Sequence, residues 1–274
     1  MVRPSARVAV LIPLALVVAA CDVSLGSLAG RASDEWTRHY TLAPGGEVHI
    51  GNTNGRIDVL GADGSDVEIR AERIARAATD AGARELLARI GIREAITPER
   101  VSIETERMGG ILIGVSFEVR YHVRAPKNAA IDVQNTNGAI SLSGLGGKVF
   151  ARTTNGAVTA RELTGGVEAR STNGSVNVEL ASLGAERVAM QTTNGGLTLT
   201  LPEAAKADVA ASWTNGGINV SPELKIAVTE QSRRRFQGRM NGGGTPIELQ
   251  TTNGGIRVRA RGASPLPAEK PSTN

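Results

Sequence analysis

The stretch ARSTNGSVNV (Ala169–Val178) sets a Thr-Asn-Gly between two runs of alternating apolar and polar residues. It is one of seven copies, with their threonines at Thr53, Thr136, Thr154, Thr172, Thr193, Thr214 and Thr252. The flanks align as VHIGNTNGRIDV, IDVQNTNGAISL, VFARTTNGAVTA, VEARSTNGSVNV, VAMQTTNGGLTL, VAASWTNGGINV and IELQTTNGGIRV. Apolar residues stand five and three positions before each Thr, and again four and six positions after it. Alternation of that period on both sides describes two strands, each with one buried face.

Asn-Gly between the strands is turn chemistry, because both residues tolerate positive φ. The turn positions are Asn54-Gly55, Asn137-Gly138, Asn155-Gly156, Asn173-Gly174, Asn194-Gly195, Asn215-Gly216 and Asn253-Gly254. The central copies are spaced by 18, 18, 21 and 21 residues. A period of that size marks stacked repeats, each covering its apolar face with its neighbours. The fold expected is therefore all-β, a single-stranded β-helix or solenoid of coils of 18–21 residues. An antiparallel meander of Asn-Gly hairpins is the alternative, since such hairpins keep the same alternation. The matching of all seven turns favours the solenoid, in which equivalent turns lie over one another and their Asn side chains can hydrogen-bond between coils.

Residues 70–125 interrupt the period. Ala83, Leu86, Leu87 and Ile90 follow helical spacing after Thr79-Asp80, and strand-like runs cover Ile90–Ile96, Val101–Arg107 and Val115–Val123. This is an insert or cap over one open end of the repeats.

The N-terminus carries Arg3 and Arg7 ahead of an apolar run, Val8–Ala20. That run is too short for a spanning helix and has the proportions of a secretory signal. Its end, Val18-Ala19-Ala20-Cys21, resembles the bacterial lipoprotein box, which implies a signal peptide over 1–20 and lipidation of Cys21. Cys21 is the chain's one cysteine, so stability must come from packing. Residues 21–35 read as the lipidated Cys and a tether, 36–261 as the repeat domain, and 262–274 as a disordered tail.

Net charge is +4, and loss of Arg3 and Arg7 with the signal leaves 29 basic against 27 acidic residues, or +2. No basic stripe is concentrated on one element, which argues against a nucleic-acid partner. His39, His49 and His122 share no metal-ligand spacing, and no metal or other cofactor is expected. Glu162 and Glu179 are isolated carboxylates read as solvated, not as a catalytic pair. Arg233-Arg234-Arg235 is a charged loop, and Trp213 is an inward-facing exception in its column.

Together the Thr-Asn-Gly coils, the helix-bearing insert and the ending FQGRMNGGGTPIELQTTNGGIRV (Phe236–Val258) resemble the bacterial envelope β-strand-repeat family of unknown function described as adhesin-like. The resemblance implies a β-helix fold and carries no catalytic motif. The expected protein is a lipid-anchored cell-envelope module for binding, adhesion or sensing, not an enzyme. Its partners would be the membrane, through the anchor, and an envelope polymer or protein. A polysaccharide-active β-helix enzyme is the competing function.

Overall fold

The computed structural model describes residues 28–109 and 114–262. The chain opens with β1 (Gly30–Thr41), β2 (Glu47–Asn54), β3 (Ile57–Ala62) and β4 (Asp66–Ala77). Helix α1 (Asp80–Ala88) follows, then β5 (Ile92–Thr97), β6 (Arg100–Thr105) and β7 (Ser116–Pro126). The regular coils are β8 (Ala130–Asn137) with β9 (Ile140–Ser143), β10 (Val149–Asn155) with β11 (Val158–Leu163), β12 (Val167–Asn173) with β13 (Val176–Leu180), and β14 (Val188–Asn194) with β15 (Leu197–Leu201). Next come β16 (Ala207–Asn215), β17 (Ile218–Val220), β18 (Ala227–Gln231), β19 (Arg235–Met240), β20 (Thr245–Asn253) and β21 (Ile256–Ala260).

The strand before each Thr-Asn-Gly joins one sheet and the strand after it joins the other. The first sheet runs β18-β19-β16-β20-β14-β12-β10-β8-β2-β6-β5, and the second runs β1-β4-β7-β3-β9-β11-β13-β15-β21-β17. All repeat strands pair in parallel and in register, Val149 opposite Val167 and Asn155 opposite Asn173 for example. Parallel pairing between successive copies is incompatible with hairpins, whose strands run antiparallel. The solenoid is the fold, and the meander is excluded.

The core lies between the sheets. Ile50, Val133, Ala151, Ala169, Met190, Leu249 and Ala211 form one inward column, and Val59, Leu142, Ala160, Val178, Leu199 and Val258 form the opposing one, all buried. Aliphatic and small side chains suffice because the coil is flat, which accounts for the 3% aromatic content.

Among the seven repeat copies, stacking order departs from chain order at one place. β20 lies between β14 and β16, and β21 between β15 and β17, so the last copy intercalates between the two before it. The irregular segment 221–244 is the excursion that permits this. It folds β19 antiparallel against β16 and β18 antiparallel against β19, and buries Leu224, Phe236 and Met240 over the end coil. Trp213 is buried in that coil, its backbone N–H donating to the Arg234 carbonyl at 3.1 Å.

The opposite end is closed by β1, β4 and β7 on one sheet and β5 and β6 on the other. Thr79 caps α1, its Oγ1 accepting from the Gly82 N–H at 3.1 Å. Tyr40 on β1 donates to Glu94 on β5 at 2.6 Å and ties the two sheets together across the end. Beneath it, Thr105 donates to Asn52 at 2.9 Å and shares a 2.8 Å hydrogen bond with the Tyr121 hydroxyl. Burial pushes that hydroxyl up to about 12.

Three boundaries read from sequence need correction. The tether was expected to run to residue 35, but β1 already begins at Gly30, paired with β4 from Gly30↔Ala77 to Thr41↔Asp66. The insert, expected over about 70–125, has no boundary at 70, because β4 runs unbroken from Asp66 to Ala77. The strand expected from Ile90 begins at Ile92, since Ile90 is buried just after the helix C-cap at Arg89. The signal peptide, Cys21 and residues 263–274 of the tail lie outside the described residues.

Candidate functional site

Parallel registration turns each repeat position into a column running the length of the stack, one strand spacing of about 4.8 Å per coil. On the outer face of the β8-containing sheet, one column is Gly51, Gln134, Arg152, Arg170, Gln191, Gln250 and Ser212. Beside it run the repeat threonines, all exposed except the half-buried Thr53.

At the corner the asparagines form an unbroken ladder. Asn137 Nδ2 donates to Asn54 Oδ1 at 2.8 Å, Asn155 to Asn137 at 2.7 Å, and Asn173 to Asn155 at 2.8 Å. Asn194 donates to Asn173 at 2.9 Å, Asn253 to Asn194 at 2.8 Å, and Asn215 to Asn253 at 2.7 Å. Behind it, in five of the seven copies, the inward residue before the Thr donates to the turn carbonyl of the adjacent coil. Asn135 Nδ2 reaches Gly55 O at 2.7 Å, Thr153 reaches Gly138 O at 3.1 Å, and Ser171 reaches Gly156 O at 2.8 Å. Thr192 reaches Gly174 O at 2.8 Å, and Thr251 reaches Gly195 O at 3.1 Å.

The structure thus brings all fourteen turn residues together, although the positive φ that both residues tolerate is taken up only by glycines. None of the seven asparagines has positive φ, and Gly174 and Gly195 also lie outside that region. The Asn is extended and serves the ladder, while the Gly lets the next coil's backbone approach.

The columns end at a pocket of ≈ 320 Å³ whose lining includes His49, Gly51, Glu104, Gln134 and Arg152. The space exists because Gly51 interrupts the Gln/Arg column; a Cβ there would stand 3.1 Å from Glu104 Cγ. His49 faces outward yet is only 7% exposed, flanked by carboxylates on both sides. Its Nδ1 lies 2.8 Å from Asp132 Oδ2, and its Nε2 lies 3.6 Å from Glu104 Oε1. Burial pushes the Asp132 carboxyl up, but the hydrogen bond and charge of His49 outweigh it, and the net shift is downward. Glu104 is held below the usual carboxylate range by its hydrogen bond to Arg93. Glu47, His49 and Asp132 each offer a ligand atom within 4.8 Å of the other two.

This cluster escaped the sequence reading, which compared histidines only with one another. The signal was present in the alignment: His49 and Asp132 both stand four positions before their Thr, hence in one column of adjacent coils. Elsewhere, Glu162 and Glu179 converge on a single cation, Arg261, at 3.6 and 3.2 Å. Arg233 and Arg234 lie exposed between β18 and β19, and Arg235 opens β19. Among the described residues no helix is long and apolar enough to cross a membrane.

The chain belongs to the Toastrack DUF4097 family, whose profile matches residues 122–259, just over half of its length. No curated protein matches it. Among solved structures it is similar to a "putative cell adhesion protein" from Clostridium sporogenes, at 12% identity and a TM-score of 0.46, covering 83% of this chain and 100% of that one. It is also similar to a "putative adhesin" from Bacteroides fragilis, at 12% identity and a TM-score of 0.40, covering 83% of this chain and 97% of that one.

Proposed function

We propose that this member of the Toastrack DUF4097 family is a lipid-anchored, non-catalytic module of the cell envelope that lies along an extended polymer. The observation that carries the reading is the registered Thr and Gln/Arg columns. They present hydroxyl, amide and guanidinium groups at one strand spacing over seven coils. A flat surface of that kind matches a ligand whose own hydroxyls or amides recur along its length. Arg adds charge-assisted donors for anionic groups on such a polymer. The Asn ladder stiffens the corner, so the columns are pre-organised and little freedom is lost on binding.

Attachment comes from Cys21, placed after a secretory signal and lipidated, with the chain up to Gly30 as the tether. More than one acyl chain makes such attachment durable. A polysaccharide-cleaving role would need two carboxylates converging on a cleft with a bond between them. Glu162 and Glu179 instead share Arg261, an ion pair on the surface.

The test is co-sedimentation of the full chain, purified in detergent, with insoluble envelope glycan. Wild type is expected to pellet with the glycan, and Gln134→Ala/Arg152→Ala/Gln191→Ala to lose at least ninety per cent of that binding without a change in melting temperature. A triple variant that pellets like wild type would overturn the polymer reading. Cells expressing Cys21→Ser should carry no fatty-acid label on the chain and release it from the membrane fraction.

A further inference from the structure

Two neighbouring coils bring Glu47, His49 and Asp132 to one point on the outer sheet face. Glu47 and His49 stand two residues apart on β2, so alternation sends both outward, and parallel register sets Asp132 of β8 opposite His49. Their donor atoms lie within 4.8 Å of one another. Ligands bonded at about 2.1 Å to one zinc-like ion stand roughly 3–4 Å apart, so the 2.8 Å contact between His49 Nδ1 and Asp132 Oδ2 opens slightly to admit the ion while Glu47 closes on it.

The surroundings orient these groups as a cation site requires. A ligating imidazole commonly donates its second N–H to a carboxylate, which fixes the tautomer and aims the first nitrogen's lone pair. Glu104 stands in that place, 3.6 Å from His49 Nε2, and is itself held by Arg93. The Gln134 amide donates to both Asp132 oxygens at 3.3 Å. Arg100 faces Glu47 at 3.4 Å, an exposed pair that is easily surrendered. On the Nε2 side of the ring, away from the proposed ion, Gly51 leaves the pocket open.

We propose that Glu47, His49 through Nδ1, and Asp132 bind a divalent first-row cation of the Zn²⁺ type, with solvent completing the coordination shell. One nitrogen and two carboxylate oxygens suit Zn²⁺ or Co²⁺ better than Ca²⁺, which takes oxygen ligands in larger number. The cation takes the place of the proton between Nδ1 and Asp132, and the neutral ring keeps its one proton on Nε2, facing Glu104. The cation site does not depend on polymer binding and is tested without any polymer.

The full chain, purified in detergent and stripped with a chelator, is titrated with ZnCl₂ by calorimetry and with CoCl₂ by visible absorption. One saturable equivalent of Zn²⁺ and a Co²⁺ ligand-field band are expected. His49→Ala and Asp132→Asn should each lose at least a hundredfold in affinity. Glu104→Gln should lose about 10–100-fold with the stoichiometry unchanged. His122→Gln, outside the cluster, should bind as wild type. If His49→Ala fails to fold, the Co²⁺-loaded wild type decides: paramagnetically shifted imidazole resonances support the site, and their absence overturns it. Failure of wild type to take up Zn²⁺, or a folded His49→Ala that binds equally well, would overturn it too.

Discussion

Gly174→Ala should destabilise the domain by about 3 kcal/mol, at the upper end of what overpacking costs. An added Cβ would stand 2.0 Å from the Gly156 carbonyl oxygen, 2.5 Å from its carbon and 3.0 Å from Ala157 N. These are backbone atoms of the adjacent coil, so no rotamer change relieves the clash. Moving that coil would stretch the Gly156 N–H to Asn173 O hydrogen bond of 3.0 Å and the Ser171 Oγ to Gly156 O hydrogen bond of 2.8 Å. Because each turn is seated on the next, the displacement is passed along the stack. Gly217 is the internal control, since nothing lies within 4 Å of its Cβ position. Gly217→Ala should leave stability unchanged or slightly raised. Urea denaturation of the two variants and wild type reads the difference; equal midpoints for Gly174→Ala and wild type would mean the turns do not touch.

Val258→Asp should be more damaging, at about 4 kcal/mol, the range for a buried charge left without a partner. Val258 is 0% exposed on β21 and stands between Leu199 of β15 and Val220 of β17. Its coil is the intercalated one, so the carboxylate would disrupt packing toward both neighbours and separate the C-terminal cap from the regular coils. Arg257→Asp, one residue away on the outer face, introduces the same group in water and should change stability by less than about 0.5 kcal/mol. Thermal unfolding followed by circular dichroism compares them. A Val258→Asp domain as stable as Arg257→Asp would place β21 outside the core.

Much of this architecture is legible in the Thr-Asn-Gly copies, because a parallel solenoid makes every coil obey the same alternation. Val176, Val178 and their equivalents identify the core faces, and the matched turns identify the corner. The intercalation of β20 and β21 is not legible, since Ile247, Leu249, Ile256 and Val258 fit equally well beside any coil. Stacking order is set by the excursion through Leu224, Phe236 and Met240, whose packing partners are remote in sequence. The strand at Gly30–Thr41 was hidden for a related reason: much of this edge strand is exposed, so its alternation is faint. At the candidate site the polar columns follow directly from the aligned copies. The His49 cluster needs one step more, the cross-coil register that sets Asp132 beside His49 across 83 residues. Glu104 lies outside any repeat copy and joins only because β6 pairs with β2.

The central claim is a stack of parallel coils with the last copy inserted between the two before it. Disulfide formation in paired cysteine variants, made in a Cys21→Ser background, tests it most directly. Thr198 and Arg257 are register partners on the outer face, and Asn219 is the next partner of Arg257. Adjacent strands put Cα atoms about 4.8 Å apart, inside the roughly 4.4–6.8 Å that a disulfide spans, whereas alternate strands are about 9.6 Å apart. Under mild oxidation Thr198→Cys/Arg257→Cys should close quantitatively with native stability, and Thr198→Cys/Asn219→Cys should keep both thiols free. Closure of the second pair with the first remaining open would contradict the inserted order, and two open pairs in a folded protein would contradict the stack itself.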